Sequence, residues 1–424
     1  MVKKITINLR FLGGAMEVGR SAVLVESNQK KIILDYGVMV DHEPGFPMHV
    51  PPKEVDAIVA THAHLDHSGA IPIFHIRGKT PVYGTQLTLE LARILISDFI
   101  HLTGYYLPFE YLDLQNMMDC SVKIEYRETR DIGGVKLELL NSGHLPGGAQ
   151  ALLHTEGKKI LYTSDFNTTP TRLLDGADLS YGEVDAIIIE STYADEDHGD
   201  RIELEKSFMK RIVETVERGG TVLVPAFGVG RSQEILCILA SHHFEYPITI
   251  DGMTMEANEV LMHYSQYLRD PKLFMDAIHT ANWVHGWKDR RNAIKKSGVI
   301  ISPAGMLKGG AAVFYMQKLA KKKNNAIFLV SYQVPSTPGR ELLEKRKFII
   351  GGKSRTVEAE VEHFNFSSHA GQQQLHETIK KLKGNPTVFV MHGAENNCQL
   401  LAKWIEDETS LKAVVPKVGE SFHI

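Results

Sequence analysis

The first half of the chain alternates short runs of branched apolar residues with glycine or polar breaks, a pattern that predicts β-strands. The predicted strands are Ile5–Phe11, Ala22–Val25, Lys31–Leu34, Asp56–Thr61, Val135–Leu140, Lys159–Thr163 and Asp185–Glu190. The last of these runs is almost continuously apolar, as expected for a strand that is covered on both faces.

The pattern changes near residue 195, where a polar stretch is followed by apolar residues at helical spacing, from Leu204 to Val216. Predicted strands and helices then alternate, which favours a parallel α/β unit. They are Thr221–Val224, Ser232–Ala240, Ile248–Ile250, Glu256–Leu268, Val299–Ser302, Ala312–Lys321 and Ala326–Ser331. The charged, glycine-bearing segment Lys345–Val357 is interpreted as the exit from this unit, and a helix, a strand and a short helix are predicted after it.

Composition indicates an ordinary globular chain. It has 424 residues, enough for about two or three units of roughly 150 residues. Hydrophobic residues make up 43%, and the formal net charge is −4. Apolar windows are far shorter than the ~20 residues that cross a membrane, so no membrane association is expected. The basic start Met1–Ile5 lacks a following apolar region, so no signal peptide is expected.

Three cysteines, an odd and sparse set, argue against a disulfide framework and favour a reducing, cytoplasmic location. The mildly acidic net charge says little about nucleic acid. Short basic runs at Lys321–Lys323 and Arg340–Lys347 could bind it locally, although such runs are usually solvated surface.

Four potential metal ligands lie within six residues directly after the predicted strand Asp56–Thr61: His62, His64, Asp66 and His67. In an extended segment His62 and His64 project to the same side. If the chain then turns into a helix, Asp66 and His67 can face a neighbouring point. Imidazole and carboxylate suit Zn²⁺, so this spacing predicts two adjacent metal positions served by one short loop.

Further ligands must come from elsewhere in the chain. His144 follows one predicted strand and Asp165 follows another. Each of them alone is an ordinary residue after a strand, and it is their order after the first cluster that gives them weight.

The segment His62-Ala63-His64-Leu65-Asp66-His67, followed by a single His144 and a single Asp165, resembles the metallo-β-lactamase superfamily signature. Asp35 resembles the aspartate that braces the metal loop in that superfamily. The resemblance implies one zinc ion bound by His62, His64 and His144, and a second bound by Asp66 and His67. Asp165 would bridge the two ions.

Downstream segments resemble the β-CASP family of nucleases within this superfamily. Glu190 after Ile187-Ile188-Ile189, His369 in Ser367-Ser368-His369-Ala370-Gly371 and His392 in Met391-His392-Gly393 match its motifs A, B and C. Motif C carries histidine rather than valine, which resembles the RNA-processing branch of the family. By this resemblance His392 would complete the ligands of the second zinc ion. The segments between motifs A and B resemble the inserted β-CASP domain, and the likeness is to archaeal cleavage-factor-like and ribonuclease J-like members.

The resemblance implies an α/β fold, a metallo-β-lactamase αββα sandwich with an inserted parallel α/β β-CASP domain. We expect residues 1–195 and 357–424 to form the metallo-β-lactamase domain and residues 196–356 to form the β-CASP domain. The implied activity is zinc-dependent hydrolysis of single-stranded RNA, with two Zn²⁺ ions per chain. A homodimer is expected by the same likeness; the apolar C-terminus Val415–Ile424 could be buried in its interface or form a packed terminal strand.

The catalytic residues are predicted to be Asp66, Glu190 and His369. A metal pair can activate water and orient and neutralise a phosphate. His369 is the candidate acid that protonates the departing 3′ oxygen, Glu190 would orient it, and Asp66 could aim the nucleophile.

Substrate contacts are less specific. Arg231 could pair with a phosphate or brace an internal carboxylate, and Ser367 could bind a phosphate or its own turn. The aromatic residues Phe46, Tyr332 and Trp287 could stack bases or belong to the core.

Two alternatives remain. A small-molecule hydrolase of the same superfamily would not need the insertion of about 160 residues that the alternating pattern indicates. A catalytically silent scaffold in an RNA-processing complex would be expected to lose metal ligands, whereas all of these positions are filled here. The sequence leaves open whether the enzyme would be a 5′→3′ exonuclease or an endonuclease.

Overall fold

A computed structural model of the chain describes residues 7–40, 43–334 and 336–424. The chain divides into two compact units. The first comprises residues up to 170, 175–197 and 368–424, and the second comprises 171–174 and 198–367. The basic start Met1–Ile5 and the beginning of the predicted strand Ile5–Phe11 lie outside the described residues.

The elements of the first unit that precede residue 198 are mostly strands. They are β1 (Asn8–Gly13), β2 (Ala22–Ser27), β3 (Lys30–Leu34), β4 (Met39–Val40), β5 (Pro44–Gly45), β6 (Ala57–Val59), α1 (Leu65–Ser68), β7 (Val82–Gly84), α2 (Gln86–Leu102), α3 (Tyr111–Asp119), β8 (Ser121–Lys123), β9 (Thr129–Ile132), β10 (Val135–Asn141), β11 (Ala149–Thr155), β12 (Lys158–Tyr162) and β13 (Ala186–Glu190).

The second unit alternates helices and strands. Its elements are α4 (Arg201–Glu217), β14 (Thr221–Pro225), α5 (Arg231–Ser241), β15 (Ile248–Ile250), α6 (Met253–His263), α7 (Pro271–Thr280), β16 (Asn282–Trp283), α8 (Trp287–Ala293), β17 (Gly298–Ser302), α9 (Gly310–Leu319), β18 (Ala326–Leu329), α10 (Pro338–Lys345), β19 (Lys347–Ile350), β20 (Lys353–Thr356) and β21 (Glu360–His363). The chain then returns to the first unit with α11 (Gln372–Lys380), β22 (Thr387–Met391), α12 (Glu395–Glu408), β23 (Ala413–Val414) and β24 (Ser421–His423).

Two seven-stranded sheets form the centre of the first unit within the described residues. Their strand orders are β24-β1-β2-β3-β6-β7-β8 and β23-β22-β13-β12-β11-β10-β9. Each sheet has antiparallel strands on one side and parallel strands on the other; β3, β6 and β7 run parallel in the first sheet, and β12, β13 and β22 in the second. This mixed arrangement places the carboxyl ends of several parallel strands at one edge of each sheet.

Apolar side chains from both sheets share one buried cluster. Phe11, Val25 and Leu34 of the first sheet belong to it together with Leu153 and Phe389 of the second. Burial of apolar surface on this scale is the main favourable contribution to folding.

Strand β13 is apolar at nearly every position because both of its faces are covered. Ala186 and Ile188 join the cluster between the sheets, whereas Ile187 and Ile189 join a second cluster with residues of α11 and α12. Alternate residues of a strand point to opposite faces, so a strand covered on both faces needs apolar residues at every position. The prediction of a doubly covered strand is confirmed.

The second unit contains a six-stranded sheet of order β16-β15-β17-β14-β18-β21, in which every pair is parallel. Its strands β14, β17 and β18 are fully buried. The two facing sheets of the first unit and the parallel α/β sheet of the second confirm the predicted fold class, a sandwich with an inserted parallel α/β domain.

Two local predictions were wrong. The helix predicted at Glu256–Leu268 begins at Met253 and ends at His263, because Tyr264 leaves the helical conformation. The segment interpreted as an exit forms the hairpin β19–β20, in which Gly351 and Gly352 adopt positive φ at the turn.

The chain passes from the first unit to the second between residues 197 and 198 and returns between residues 367 and 368. Both points lie beyond the predicted domain limits, 195/196 and 356/357. Strand β21, which follows the predicted second limit, pairs with β18 of the second unit. The domain limits stay a prediction.

The C-terminal residues follow one of the two alternatives left open by the sequence. Strand β24 pairs antiparallel with β1, and the Phe422 ring packs on those of Phe11 and Phe389. The packed terminal strand therefore accounts for the apolar character of this part of the chain. In the described part of the chain no helix combines the length and the apolar character needed to span a bilayer.

Replacing Phe11 by alanine is expected to lower the free energy of unfolding by about 3–5 kcal/mol. Phe11 has no exposed surface, and its ring lies 5.5 Å from that of Phe389 between the sheets, so truncation leaves a cavity. Urea unfolding measures the loss. Tyr106→Ala is the control, because Tyr106 is 91% exposed and its loss should change stability by less than about 0.5 kcal/mol. Equal effects of the two substitutions would contradict the prediction.

Candidate metal centre

Loops that follow parallel strands of the first unit carry most of the predicted site residues. His62 and His64 follow β6, Asp165 follows β12, and His392 follows β22. Asp66 and His67 lie in the one-turn helix α1, and His144 follows the antiparallel strand β10. Because β13 and β22 pair in parallel with Glu190 opposite Met391, Glu190 and His392 reach the same edge of the sheet.

The first group of side chains consists of His62, His64, His144 and Asp165, whose ligand atoms lie within 4.8 Å of one another. Nε2 of His62 is 3.6 Å and Nε2 of His144 is 3.7 Å from Oδ2 of Asp165. Nδ1 of His64 is 3.2 Å from Nε2 of His144. Three imidazoles and one carboxylate oxygen therefore surround one point.

The second group consists of Asp66, His67, His392 and again Asp165, and its ligand atoms also lie within 4.8 Å of one another. It uses the other carboxylate oxygen: Oδ1 of Asp165 is 3.3 Å from Nε2 of His67 and 3.4 Å from Nε2 of His392. Oδ2 of Asp66 lies 3.8 Å from Nε2 of His392. Asp165 thus stands between the two groups, one oxygen turned to each.

A third pair adjoins the two groups. Nδ1 of His369 lies 2.9 Å from Oε2 of Glu190 and 4.0 Å from Oδ2 of Asp165. Glu190 is buried, and its Oε1 accepts a hydrogen bond from the backbone N–H of Phe166. This backbone contact and the His369 contact together leave Glu190 a single orientation.

The two groups fit divalent metal ions. Nε2 of His62, His67 and His392 and Oδ1 of Asp165 are buried without a hydrogen-bond partner among the described residues, which is costly unless something else binds them. Ligand atoms about 2.0–2.1 Å from one tetrahedral ion are roughly 3.3–3.4 Å apart. The distances of 3.2–3.7 Å in the first group are close to that spacing.

Burial keeps the imidazoles of the first group neutral. Removal from water lowers the pKa of His62 and of His144 well below the ordinary value, and lowers the pKa of His64 to about 4. Neutral imidazole is the form that binds a metal ion. The first group is therefore ready to bind a cation without first losing protons.

Asp165 and the second group show the opposite balance. Burial would lower the pKa of His67, but the carboxylates of Asp165 and Asp35 outweigh it and raise the pKa well above its usual range. Burial would likewise raise the pKa of Asp165, but His392, His67 and His369 hold it well below the usual range. Asp165 therefore remains an anion at the centre of the cluster.

Asp35, predicted as support for the metal loop, contacts one of the clustered histidines. Its Oδ2 lies 2.7 Å from Nδ1 of His67. The carboxylate also accepts hydrogen bonds from the backbone and hydroxyl of Thr61 and from the hydroxyl of Tyr162. A carboxylate on the second ring nitrogen fixes the tautomer and the orientation of a metal-binding histidine.

Sequence reasoning missed the groups that orient the other histidines. Oγ of Ser21 lies 2.7 Å from Nδ1 of His392, and the backbone carbonyl of Ser368 lies 2.9 Å from Nδ1 of His144. Ser21 stands in no motif and belongs to the loop between β1 and β2, so nothing in its sequence context marks it. A backbone carbonyl leaves no signal in the sequence at all.

Several site residues adopt the left-handed backbone region. The φ angles of Asp35, Ser164 and His392 are 56°, 52° and 47°. Such conformations cost free energy in non-glycine residues and persist where the surrounding structure enforces them. Gly37 is required for a related reason, because a Cβ there would lie 1.8 Å from the backbone oxygen of Asp66. The loops of the centre are thus tightly constrained.

The weaker predicted contacts lie in the second unit. Arg231 begins α5 and is largely buried, and Ser367 donates its backbone N–H to Asn365. The clustered residues all belong to the first unit. The roles of Arg231 and Ser367 in substrate binding stay predictions.

Three family models match the chain in succession. They are a Metallo-beta-lactamase superfamily domain at residues 24–193, a Beta-Casp domain at residues 232–342, and a Zn-dependent metallo-hydrolase RNA specificity domain at residues 354–416. The first and last include the clustered residues of the first unit. The fold and the cluster thus define a metal-dependent hydrolase of the metallo-β-lactamase class.

Relatives match along nearly the whole chain. The RNase aCSPSF2 of Saccharolobus solfataricus is 42% identical, covering 98% of this chain and 85% of the relative. The Probable RNase MJ4 of Methanocaldococcus jannaschii is 36% identical, covering 98% and 99%. The Transcription termination factor FttA of the same organism is 35% identical, covering 92% and 68%. This chain belongs to the β-CASP family of the metallo-β-lactamase superfamily, which confirms the resemblance seen in its motifs.

A solved structure supports the fold alone. The crystal structure of a protein of unknown function from Enterococcus faecalis V583 matches with a TM-score of 0.63 at 14% identity, covering 99% of this chain and all of the other. The family membership and the histidine–aspartate cluster together make this a divalent-metal-binding protein.

Asp35→Asn is expected to weaken metal binding about 10- to 100-fold, because it removes the charge that orients His67. Competition with a chromogenic chelator measures the affinity. Asp56→Asn is the matched control, since Asp56 is a half-buried carboxylate that pairs with the ammonium of Lys30 and accepts a hydrogen bond from the backbone N–H of Lys31 instead. An unchanged affinity for Asp35→Asn would show that Asp35 does not support the metal centre.

Proposed function

We propose that this protein is a zinc-dependent ribonuclease that hydrolyses phosphodiester bonds of single-stranded RNA. The observation that carries the proposal is the position of Asp165 between two ligand groups, with His369 and Glu190 beside it. The names of the relatives, RNase aCSPSF2 and Probable RNase MJ4, support RNA as the substrate.

His62, His64 and His144 would hold one Zn²⁺ ion, and Asp66, His67 and His392 would hold a second, with Asp165 shared. Imidazole nitrogen and carboxylate oxygen are ligands that zinc accepts readily. When bound, such a pair of ions supplies a nucleophile from water at neutral pH and neutralises charge on the phosphate.

His369 would donate the proton that the departing 3′ oxygen needs. Burial would lower the pKa of His369, but Glu190 and Asp165 outweigh it and raise the pKa to about 9. Because Glu190 binds Nδ1, Nε2 would be the nitrogen that donates to a substrate oxygen.

Asp66 would orient the attacking water. Its side chain is 30% exposed, in contrast to Asp165, which is 1% exposed. A carboxylate that is partly open can accept a hydrogen bond from a substrate water while its position is set by α1. Arg231 and Ser367 are proposed to bind phosphate oxygens of the RNA. For the assembly we expect a cytoplasmic homodimer. Light scattering would measure the mass of the particle in solution.

The RNA substrate and the mode of cleavage are tested with two single-stranded RNAs that differ only in a 5′ monophosphate or 5′ triphosphate, each labelled at the 3′ end. Stepwise loss of single nucleotides, faster from the monophosphate, is expected of a 5′→3′ exonuclease. Internal cuts that ignore the 5′ end are expected of an endonuclease. His62→Ala is the blank. No cleavage by a protein with bound zinc would overturn the ribonuclease and favour a small-molecule hydrolase of the superfamily.

Metal analysis is expected to give about two zinc ions per wild-type chain and about one per chain of the His392→Ala variant. The reason is that His392 belongs to the second group alone. Mass spectrometry of the native protein counts the ions directly. His376→Ala is the control, because His376 stacks on Trp404 and should leave the count unchanged. An unchanged count in His392→Ala would refute its assignment as a ligand.

His369→Ala is expected to lower kcat by about 10²- to 10⁴-fold with natural RNA, the usual contribution of a general acid. With a 3′-bridging phosphorothiolate the leaving sulfur needs no proton, so the defect should largely disappear. Single-turnover cleavage of both substrates measures the difference, and His376→Ala should behave as wild type on both. The same defect on the two substrates would show that His369 does not protonate the leaving group.

A further inference from the structure

The second unit carries an aromatic side chain, Trp287, that is 59% exposed at the beginning of α8. A single exposed apolar side chain is common on protein surfaces and does not by itself indicate a binding site. The contacts that hold this side chain in place are what distinguish Trp287.

Two side chains brace the indole. The guanidinium carbon of Arg290, one turn further along α8, lies 5.1 Å from the centroid of the Trp287 ring. The ring of Phe314 lies 5.4 Å away and meets the indole edge to face, at an interplanar angle of 76°. More than half of the side chain stays open to solvent all the same.

Arg290 is itself fixed by a buried carboxylate. Its Nε and Nη2 donate to the two oxygens of Asp251 at 2.7 and 2.9 Å, a two-point contact that sets the plane of the guanidinium. The side chain of Asp251 is 1% exposed and also accepts a hydrogen bond from the hydroxyl of Tyr315 at 2.7 Å. The indole therefore rests on a rigid support, and little conformational entropy is lost when a flat ligand covers it.

The carboxylate that fixes Arg290 lies at the edge of the parallel sheet where such sheets usually bind ligands. Asp251 directly follows β15, at the carboxyl end of a strand in a parallel sheet. Open parallel sheets with flanking helices bind their ligands beyond the carboxyl ends of the strands.

The charges beside Trp287 indicate the kind of ligand. Lys288 and Arg291 are exposed next to it on α8, and Asp289 is the one acidic residue of that helix. The chain as a whole has a net charge of −4, so this is a local excess of positive charge. An apolar protein partner would gain nothing from exposed cations around the aromatic ring, whereas a nucleic-acid strand offers both bases and phosphates.

We propose that Trp287 is a stacking surface for an unpaired base of the RNA substrate, with Lys288 and Arg291 binding neighbouring phosphates and Arg290 acting as a positioning residue. The proposal rests on the proposed ribonuclease function and adds a contact surface in the second unit. Base stacking on aromatic residues combined with cationic contacts to the backbone is the usual way in which single strands are bound without sequence preference.

The test measures binding of labelled single-stranded RNAs of increasing length to the zinc-loaded chain in a His369→Ala background, where cleavage is expected to be about 10²- to 10⁴-fold slower. Trp287→Ala is expected to raise Kd roughly five- to hundredfold, and only for RNAs above a threshold length. Trp287→Phe, which keeps a ring, should retain most of the affinity. The threshold reports how many nucleotides separate the stacked base from the bound end.

Salt dependence separates stacking from phosphate binding. Trp287→Ala should leave the slope of log K against log salt concentration unchanged, because stacking releases no counterions. The double substitution Lys288→Gln and Arg291→Gln should reduce that slope by about 0.7 for each phosphate that the variant no longer binds.

Tyr246→Ala is the matched control. Tyr246 is 38% exposed in the same unit and pairs with the Phe244 ring at 5.4 Å, but it precedes β15 at the amino end of the strand. Its substitution should leave RNA affinity unchanged. If Trp287→Ala binds every RNA as tightly as its His369→Ala parent does, and the wild-type holoenzyme cleaves RNA, the stacking surface is overturned and the ribonuclease is left intact. Absence of any RNA cleavage by the wild-type holoenzyme would instead overturn the ribonuclease.

Discussion

A buried carboxylate is the constraint on which the first unit depends. Asp165 is 1% exposed, and an isolated charge in such a place would be very costly. Its two oxygens face two sets of imidazoles, and those imidazoles come from loops attached to both sheets. The two sheets must therefore pack in one register relative to each other, since any other register would leave the carboxylate without partners.

The same constraint explains the unusual backbone around the centre. Asp35, Ser164 and His392 keep left-handed conformations because their side chains must reach His67, Thr61 and Ser21 respectively. The free energy for this comes from the apolar cluster between the sheets, where Phe11 and Phe389 pack together. Packing at a distance from the centre thus maintains a local geometry that would not form in an isolated loop.

Much of the centre could be predicted from the sequence because its densest part is local. His62, His64, Asp66 and His67 stand in one loop, and their spacing alone indicates a metal site. His144, Asp165 and His392 are single residues, and only the family resemblance linked them to that loop. Ser21 and the carbonyl of Ser368 could not be found, since hydrogen bonds to a second ring nitrogen depend on the folded loops. Periodicity predicted the strand-rich first half and the parallel α/β unit, and the family resemblance implied the fold class. The hairpin β19–β20 was not predicted, because Ile349 is apolar although exposed and all four residues of β20 are exposed.

The first unit is interrupted by the second along the chain, and this has a consequence for the timing of activity. Glu190 and His369 are partners in space but stand 179 residues apart in sequence, and His392 comes later still. Proteins emerge from the ribosome from the amino end. A nascent chain that already contains the His62–His67 loop therefore lacks His369 and His392 until the second unit has been synthesised. A chain arranged in this way cannot bring the whole cluster together before its inserted second unit has left the ribosome.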